Sequence, residues 1–367
     1  MSIYSHPGAH AHGAGREWGT QVAIATSNGK VAGTIGGQAV STPQDRTSTP
    51  EDLRLALRAA TLYYLDGLTQ AEIASRLGVS RPTAGRLVAR AKAKGLVRIE
   101  VVVPSDMSDD LHADEERELE QRYGLTEAVV AGHGIDVGAT GRPAAYASVG
   151  RAAAALLMRR LSANDVLGFT WGPEQVAVAD ALSPGVASCR AVVQLDGAMS
   201  TAAYQTGTEL ILGRCADMLR ATTIRLPAPL YADPSTVASM RSDSLISRTL
   251  EAGRRADVML FGVGSVSTST TLFEGSFVDT RMLDELISLG AVGEIGGRFF
   301  DAEGTPVDSE LQQRAVSVPL EDVRSCTKTI LISSGATKHH ATLGALRGKL
   351  ARLLVCDIDC ARWLLAQ

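Results

Sequence analysis

The chain has 367 residues, 45% of them hydrophobic and 21% charged, with a formal net charge of −4; this is the composition of an ordinary soluble globular protein with room for two or three domains. No apolar run approaches the roughly 20 residues of a membrane span, and the amino terminus has neither the basic start nor the apolar core of a signal peptide, so no membrane partner is expected and a soluble cytoplasmic protein is predicted. The five cysteines, at 189, 215, 326, 356 and 360, are odd in number and scattered, which fits neither a disulfide framework nor a paired metal-ligand site.

Residues 1–50 are rich in Gly, Ala, Ser, Thr and His without a sustained apolar period, and they read as a disordered extension. His6, His10 and His12 fall there and read as incidental, so neither a metal nor a cofactor is expected. From Pro50 the pattern turns helical. Leu53, Leu57, Ala60 and Tyr64 recur every three or four residues, Leu62 and Leu65 widen the stripe, and Gly67 ends it.

The stretch Leu68–Ile99 reads as a helix-turn-helix. Thr69 and Glu72 have capping-box spacing, Ile73 and Leu77 give one apolar stripe, and Gly78 supplies a left-handed stop. Ser80 then caps a second helix with Pro82 in its first turn. Leu87 and Val88 bury that helix, while Arg81, Thr83, Arg86 and Arg90 stay outside. Between Leu53 and Arg98 there are nine Lys or Arg and two acids, and from Arg81 to Arg98 six basic residues and no acid. A basic face on an acidic protein is the footprint of a duplex-binding surface. Beyond Gly95, VRIEVVV reads as a strand, forming either a wing beside the second helix or a link onward. The helix-turn-helix domain is thus bounded at 51–103, with a polar linker at 104–110.

From 111 to 367 strand and helix alternate. Strands are predicted at EAVVAG, DVLGF, AVVQL, TIRL, DVMLFG, TILIS and RLLVCD, with helices between, among them 111–123, 142–161 and 209–219. That alternation implies a doubly wound, mostly parallel α/β domain, whose ligands bind at the carboxyl ends of the strands. Four loops stand out: Gly168–Gly172, Gln194–Gly197, Phe261–Ser265 and Gly293–Asp301. Their small residues let backbone N–H groups approach a ligand oxygen. None is a Walker loop, and Gly262-Val-Gly264 alone is a weak signal.

The segments GFTWG, VVQLDG, LPAPLYAD, ADVMLFGVGSV and GAVGEIGGRFFDAEG, in that order, resemble the SorC/DeoR-type sugar-binding transcriptional regulators, and so does GLTQAEIASRLGVSRPTAGRLVARAKAKGLVRI. The resemblance covers about residues 53 to 365. It implies an effector domain related in fold to sugar-phosphate isomerases and deaminases, and a homo-oligomer, tetramer or dimer. The partners it implies are double-stranded operator DNA and a sugar or sugar-phosphate effector. The chain departs from the family where Ala84-Gly85 replaces a Val-Ser pair in the recognition helix, where Ser333–Lys338 replaces a Gly-Gly-Pro-type turn, and where Asp196 replaces a common amide. The last exchanges a donor-and-acceptor side chain for an acceptor.

For DNA, Arg81 and Arg86 are placed to bond guanine edges, with Thr83 beside them, and Ser80, Thr69 and Gln70 suit phosphate contacts. Arg90, Lys92 and Lys94 supply either phosphate attraction or solubility. For the effector, Thr170, Trp171, Gly172, Asp196, Gly264 and Ser265 line the site, Glu294 accepts hydroxyls, and Lys338 meets an anionic group. Trp171 stacks on a sugar ring or packs; Glu294 reads a ligand or caps a neighbouring element. The rival class is a sugar-phosphate isomerase or deaminase with an appended DNA-binding module, using Asp196, Glu294 and Lys338. No paired-carboxylate loop or Asp-His dyad supports that chemistry, so the expectation is a regulator and not an enzyme.

Overall fold

The computed structural model describes residues 22–23, 50–99, 111–132, 144–198, 200–201, 204–205, 207–274 and 277–367. The expected linker at 104–110, and the expected disordered extension apart from Val22–Ala23 and Pro50, lie outside the described residues. The chain divides into two compact units, Met1–Pro104 and Ser105–Gln367.

The first unit holds three helices, α1 (Pro50–Tyr64), α2 (Gln70–Leu77) and α3 (Arg81–Ala93). The caps are those the sequence prescribes. Thr69 and Glu72 form a complete capping box, Gly78 takes the left-handed conformation at φ 66°, and the Ser80 hydroxyl accepts from the Thr83 N–H. The seam of α1 differs from the expected leucine stripe. Ala56, Ala59, Ala60 and Leu62 are buried, whereas Leu65 lies past the helix end and is exposed. Alanines let α1 approach closely, and they share one core with Ile73, Leu87, Val88 and Ala91. Of the expected VRIEVVV strand, residues 97–99 lie within the described residues, and Arg98–Ile99 pairs antiparallel with Val22–Ala23.

The second unit is built on a seven-stranded sheet. Its strands are β1 (Glu127–Ala131), β2 (Val166–Phe169), β3 (Ala191–Gln194), β4 (Thr222–Ile224) and β5 (Val258–Gly262), followed later in the chain by β9 (Thr329–Ser333) and β10 (Leu353–Asp357). The spatial order is β1-β10-β9-β5-β2-β3-β4, and every pairing is parallel. Both faces are covered, so the strands read as continuous apolar runs. Along β10, Leu354 and Cys356 join a core with Leu119, Leu343 and Leu364, while Leu353 and Val355 join another with Val149, Val176 and Ile211.

Between β5 and β9 the chain departs from simple alternation. Gly264–Ser265 (β6), Ala291–Ile295 (β7) and Arg298–Asp301 (β8) form a separate three-stranded antiparallel sheet. The segment expected as a loop at Gly293–Asp301 is therefore a hairpin, with the two glycines 296 and 297 in its turn at φ 55° and 76°. Such a Gly-Gly pair between alternating residues is a two-residue hairpin signal.

Candidate effector pocket and nucleic-acid interface

Parallel order fixes where a ligand can sit. From β2 the chain runs outward to β3 and β4, and from β5, its neighbour, it runs the other way to β9 and β10. The crevice beyond the carboxyl ends of β2 and β5 is thus a topological switch point, the position where open α/β sheets bind ligands. A cavity of about 170 Å³ occupies it.

Every residue selected from sequence for the effector lines this cavity: Thr170, Trp171, Gly172, Asp196, Gly264, Ser265, Glu294 and Lys338. The turn after β2 supplies the first three, and the Thr170 N–H donates to the Leu260 carbonyl of β5 at 3.1 Å. Asp196 follows β3, and Gly264 and Ser265 follow β5. Lys338 comes from the 3-10 turn Ala336–Lys338 after β9, anchored where Thr342 Oγ1 donates to the Lys338 carbonyl at 2.8 Å. Glu294 arrives differently. It sits inside β7, opposite Gly264 in the antiparallel register, and is carried over the cavity by the small sheet.

The side chains are strongly organised. Trp171 Nε1 donates to the Gly197 carbonyl at 3.1 Å, and its ring packs between two apolar clusters, so its packing role is real and it lines the cavity as well. Glu294 accepts from the Gly297 N–H at 2.7 Å, closing the hairpin turn. Burial raises the Glu294 carboxyl above its ordinary range, against the opposing pull of that N–H and of Lys338.

Asp196 is buried beyond the carboxyl end of β3. It is 1% exposed, and burial first, then the nearby Glu294 charge, hold its carboxyl well above the usual carboxylate range. Lys338 lines the cavity, and its ammonium pairs there with the carboxylate of Glu174.

Glu174 and Gln175 were missed by sequence reasoning. They occupy the first turn of the helix Pro173–Ala181, are 2% and 1% exposed, and line the cavity. The available signal was their place: two polar residues directly after the Trp-Gly turn, in a helix that is otherwise mostly apolar. Tyr146, Ser269 and Thr270 also line the cavity without having been singled out in the sequence, together with Gly262, Gly296 and Thr337 from segments that were.

In the first unit the exposed start of α3 carries a hydrogen-bonded series. Ser80 Oγ and Thr83 Oγ1 are 2.8 Å apart, and Arg86 Nη2 donates to Thr83 Oγ1 at 3.1 Å. Arg81 is exposed beside them and Arg90 is half-buried one turn further on. Thr69 and Gln70 are exposed at the start of α2. Gly85 has a local reason: a Cβ there would stand 3.1 Å from Gln70 Oε1, so the glycine makes room for Gln70 to lie against α3.

Comparison with known proteins agrees with both units. The sugar-binding domain family model matches residues 110–366, and the MarR family model matches residues 59–106. The deoxyribonucleoside regulator of Bacillus subtilis (strain 168) is 32% identical over 315 residues, covering 86% of this chain and 98% of the relative. The sorbitol operon regulator of Klebsiella pneumoniae is 28% identical, covering 86% and 98%. The crystal structure of that full-length regulator, SorC, superposes with a TM-score of 0.62 at 26% identity, covering 86% of this chain and 99% of the other. These relatives are regulators, which sets aside the enzyme alternative. The chain belongs to the SorC/DeoR-type family of sugar-binding transcriptional regulators.

Proposed function

We propose that this regulator reads its operator through Arg81, Thr83 and Arg86, with Thr69, Gln70, Ser80 and Arg90 at the phosphates, and takes its effector in the cavity above β2 and β5. The observation that carries the effector assignment is convergence. Eight residues drawn from five separate segments of the sequence line one cavity at the switch point. The buried Glu174, Gln175 and Asp196, with the half-buried Glu294, suit an oxygen-rich ligand, because carboxylates accept from hydroxyls and an amide both donates and accepts. By analogy with the sorbitol operon regulator and the deoxyribonucleoside regulator, the operator lies upstream of a carbohydrate-utilisation operon.

The protein works as a cytoplasmic homo-oligomer, a tetramer or dimer. One helix-turn-helix contacts few base pairs, and symmetric pairing on a palindromic operator supplies the affinity of specific binding. No helix among the described residues is long and apolar enough to cross a membrane. The test is selection of genomic DNA fragments on the full-length protein, followed by footprinting. Protection of a palindrome beside a carbohydrate operon supports the reading. Sequence-independent binding alone contradicts it, and a monomer in sedimentation with that fragment present contradicts the oligomer.

A further inference from the structure

The proposed cavity contains an arrangement that bears on which sugars it accepts. Among the described residues lining it, Lys338 is the one cation, against the three carboxyls of Glu174, Asp196 and Glu294. That cation already pairs with Glu174, which is 2% exposed. A phosphate brings about −1.5 to −2 charges at neutral pH. To reach Lys338 it must either leave Glu174 buried without a counter-charge, which is strongly unfavourable, or sit beside that carboxylate and Glu294.

The uncharged lining points the other way. Gln175 is 1% exposed, yet both its Oε1 and its Nε2 lack any partner, and so does Asp196 Oδ1. Buried polar atoms in native proteins are almost always satisfied, so these three await a group that both donates and accepts. The carboxamide is held in place by its surroundings. A Cβ at Gly172 would stand 2.5 Å from Gln175 Oε1, and one at Gly262 would stand 3.1 Å from Gln175 Nε2. Hydroxyls meet an amide oxygen, an amide N–H, a carboxyl and a carboxylate alike. The cavity, at about 170 Å³, is smaller than the roughly 300–1,000 Å³ of sites for drug-sized ligands, which suits a compound of a few carbons.

We infer that the effector is an uncharged polyhydroxy compound, a short polyol or monosaccharide without phosphate, bound through Gln175, Asp196 and Glu294, and that the Glu174–Lys338 pair excludes phosphate esters. This inference rests on the effector cavity proposed above.

The test uses the full-length protein and matched pairs: C3 to C6 alditols and aldoses, each with its own terminal phosphate ester, compared by thermal shift and then by calorimetry. At least one uncharged compound should bind ten-fold or more tightly than its ester. Glu174→Gln removes the buried negative partner of Lys338, and it should move the ester-to-parent affinity ratio at least ten-fold toward the ester. The wild-type comparison stands without that variant should it fail to fold. An ester that binds wild-type protein as tightly as its parent, or more tightly, overturns the inference while leaving a sugar-type effector in place. Silence from every pair overturns the effector reading itself, and this inference with it.

Discussion

Gly264 and Glu294 are register partners in the small antiparallel sheet, and a Cβ on Gly264 would stand 2.1 Å from Glu294 Oε1. A side chain at that position would push the Glu294 carboxylate aside. The glycine therefore leaves the glutamate its place over the cavity, where backbone and carboxylate approach each other closely.

Gly264→Ala is expected to displace the Glu294 carboxylate and weaken effector binding by ten-fold or more, leaving a folded protein. Overpacking of this kind costs typically about 1–3 kcal/mol of stability. Calorimetric titration with the best compound from the matched panel, alongside a melting curve, measures both. Unchanged affinity in a folded variant would remove Glu294 from the site.

Asp196→Asn should stabilise the protein, and more so at high pH. The native carboxyl is held well above its ordinary value by burial and by Glu294. The unfolded chain ionises first, near pH 3.9, so stability falls as pH rises from there through the raised native value. An amide has no such dependence and keeps donor and acceptor. The gain in melting temperature should be larger at pH 8 than at pH 5, at about 2–4 °C per kcal/mol for a domain of this size. Equal gains at both pH values would mean that the carboxyl is not proton-linked to folding.

Arg86→Ala should weaken specific operator binding by about 1–3 kcal/mol if the guanidinium reads a base edge. Its bond to Thr83 Oγ1 holds the side chain at the exposed start of α3. Anisotropy titrations on the footprinted operator and on scrambled DNA separate base reading from phosphate attraction. An equal loss on both sequences would make Arg86 a phosphate contact.

Gly85→Ala sets two effects against each other. It should add up to about 1 kcal/mol of helix stability, and it should push aside Gln70, whose Oε1 would lie 3.1 Å from the new Cβ. Operator affinity is expected to fall by a similar factor on all sequences, with an unchanged salt dependence, because Gln70 is assigned to phosphate and carries no charge. Higher stability with unaltered affinity would show that Gln70 makes no contact with DNA.

Much of this was legible in the sequence because local chemistry and topology coincide there. Thr69, Glu72, Gly78 and Ser80 carry their helix boundaries in their own side chains or backbone freedom. Thr170, Asp196 and Ser265 follow strands whose apolar runs announce a parallel sheet, so the switch-point rule places them. Glu294 lines the cavity but by a different route from the one expected, since it belongs to a hairpin and not to a strand-end loop. Glu174 and Gln175 escaped because residues in the first turn of a helix normally face water, and only the tertiary fold buries them. The upward shift of the Asp196 carboxyl and the pairing of Lys338 with Glu174 depend on burial and distance, which no sequence pattern encodes. The alanine seam of α1 escaped for a similar reason: small residues carry a weak apolar signal even where they allow the closest packing.

The measurement that tests the central claim most directly is an operator titration of the full-length protein with and without the best-binding uncharged sugar, run in parallel on Glu294→Ala. Wild-type protein is expected to change its operator affinity at least five-fold when the sugar is saturating, the lower range of allosteric coupling at about 1 kcal/mol. Glu294→Ala should bind the operator with wild-type affinity in the absence of sugar and show no change when it is added. A variant that responds with the wild-type midpoint, or a wild-type protein whose bound sugar leaves operator affinity untouched, would contradict the account.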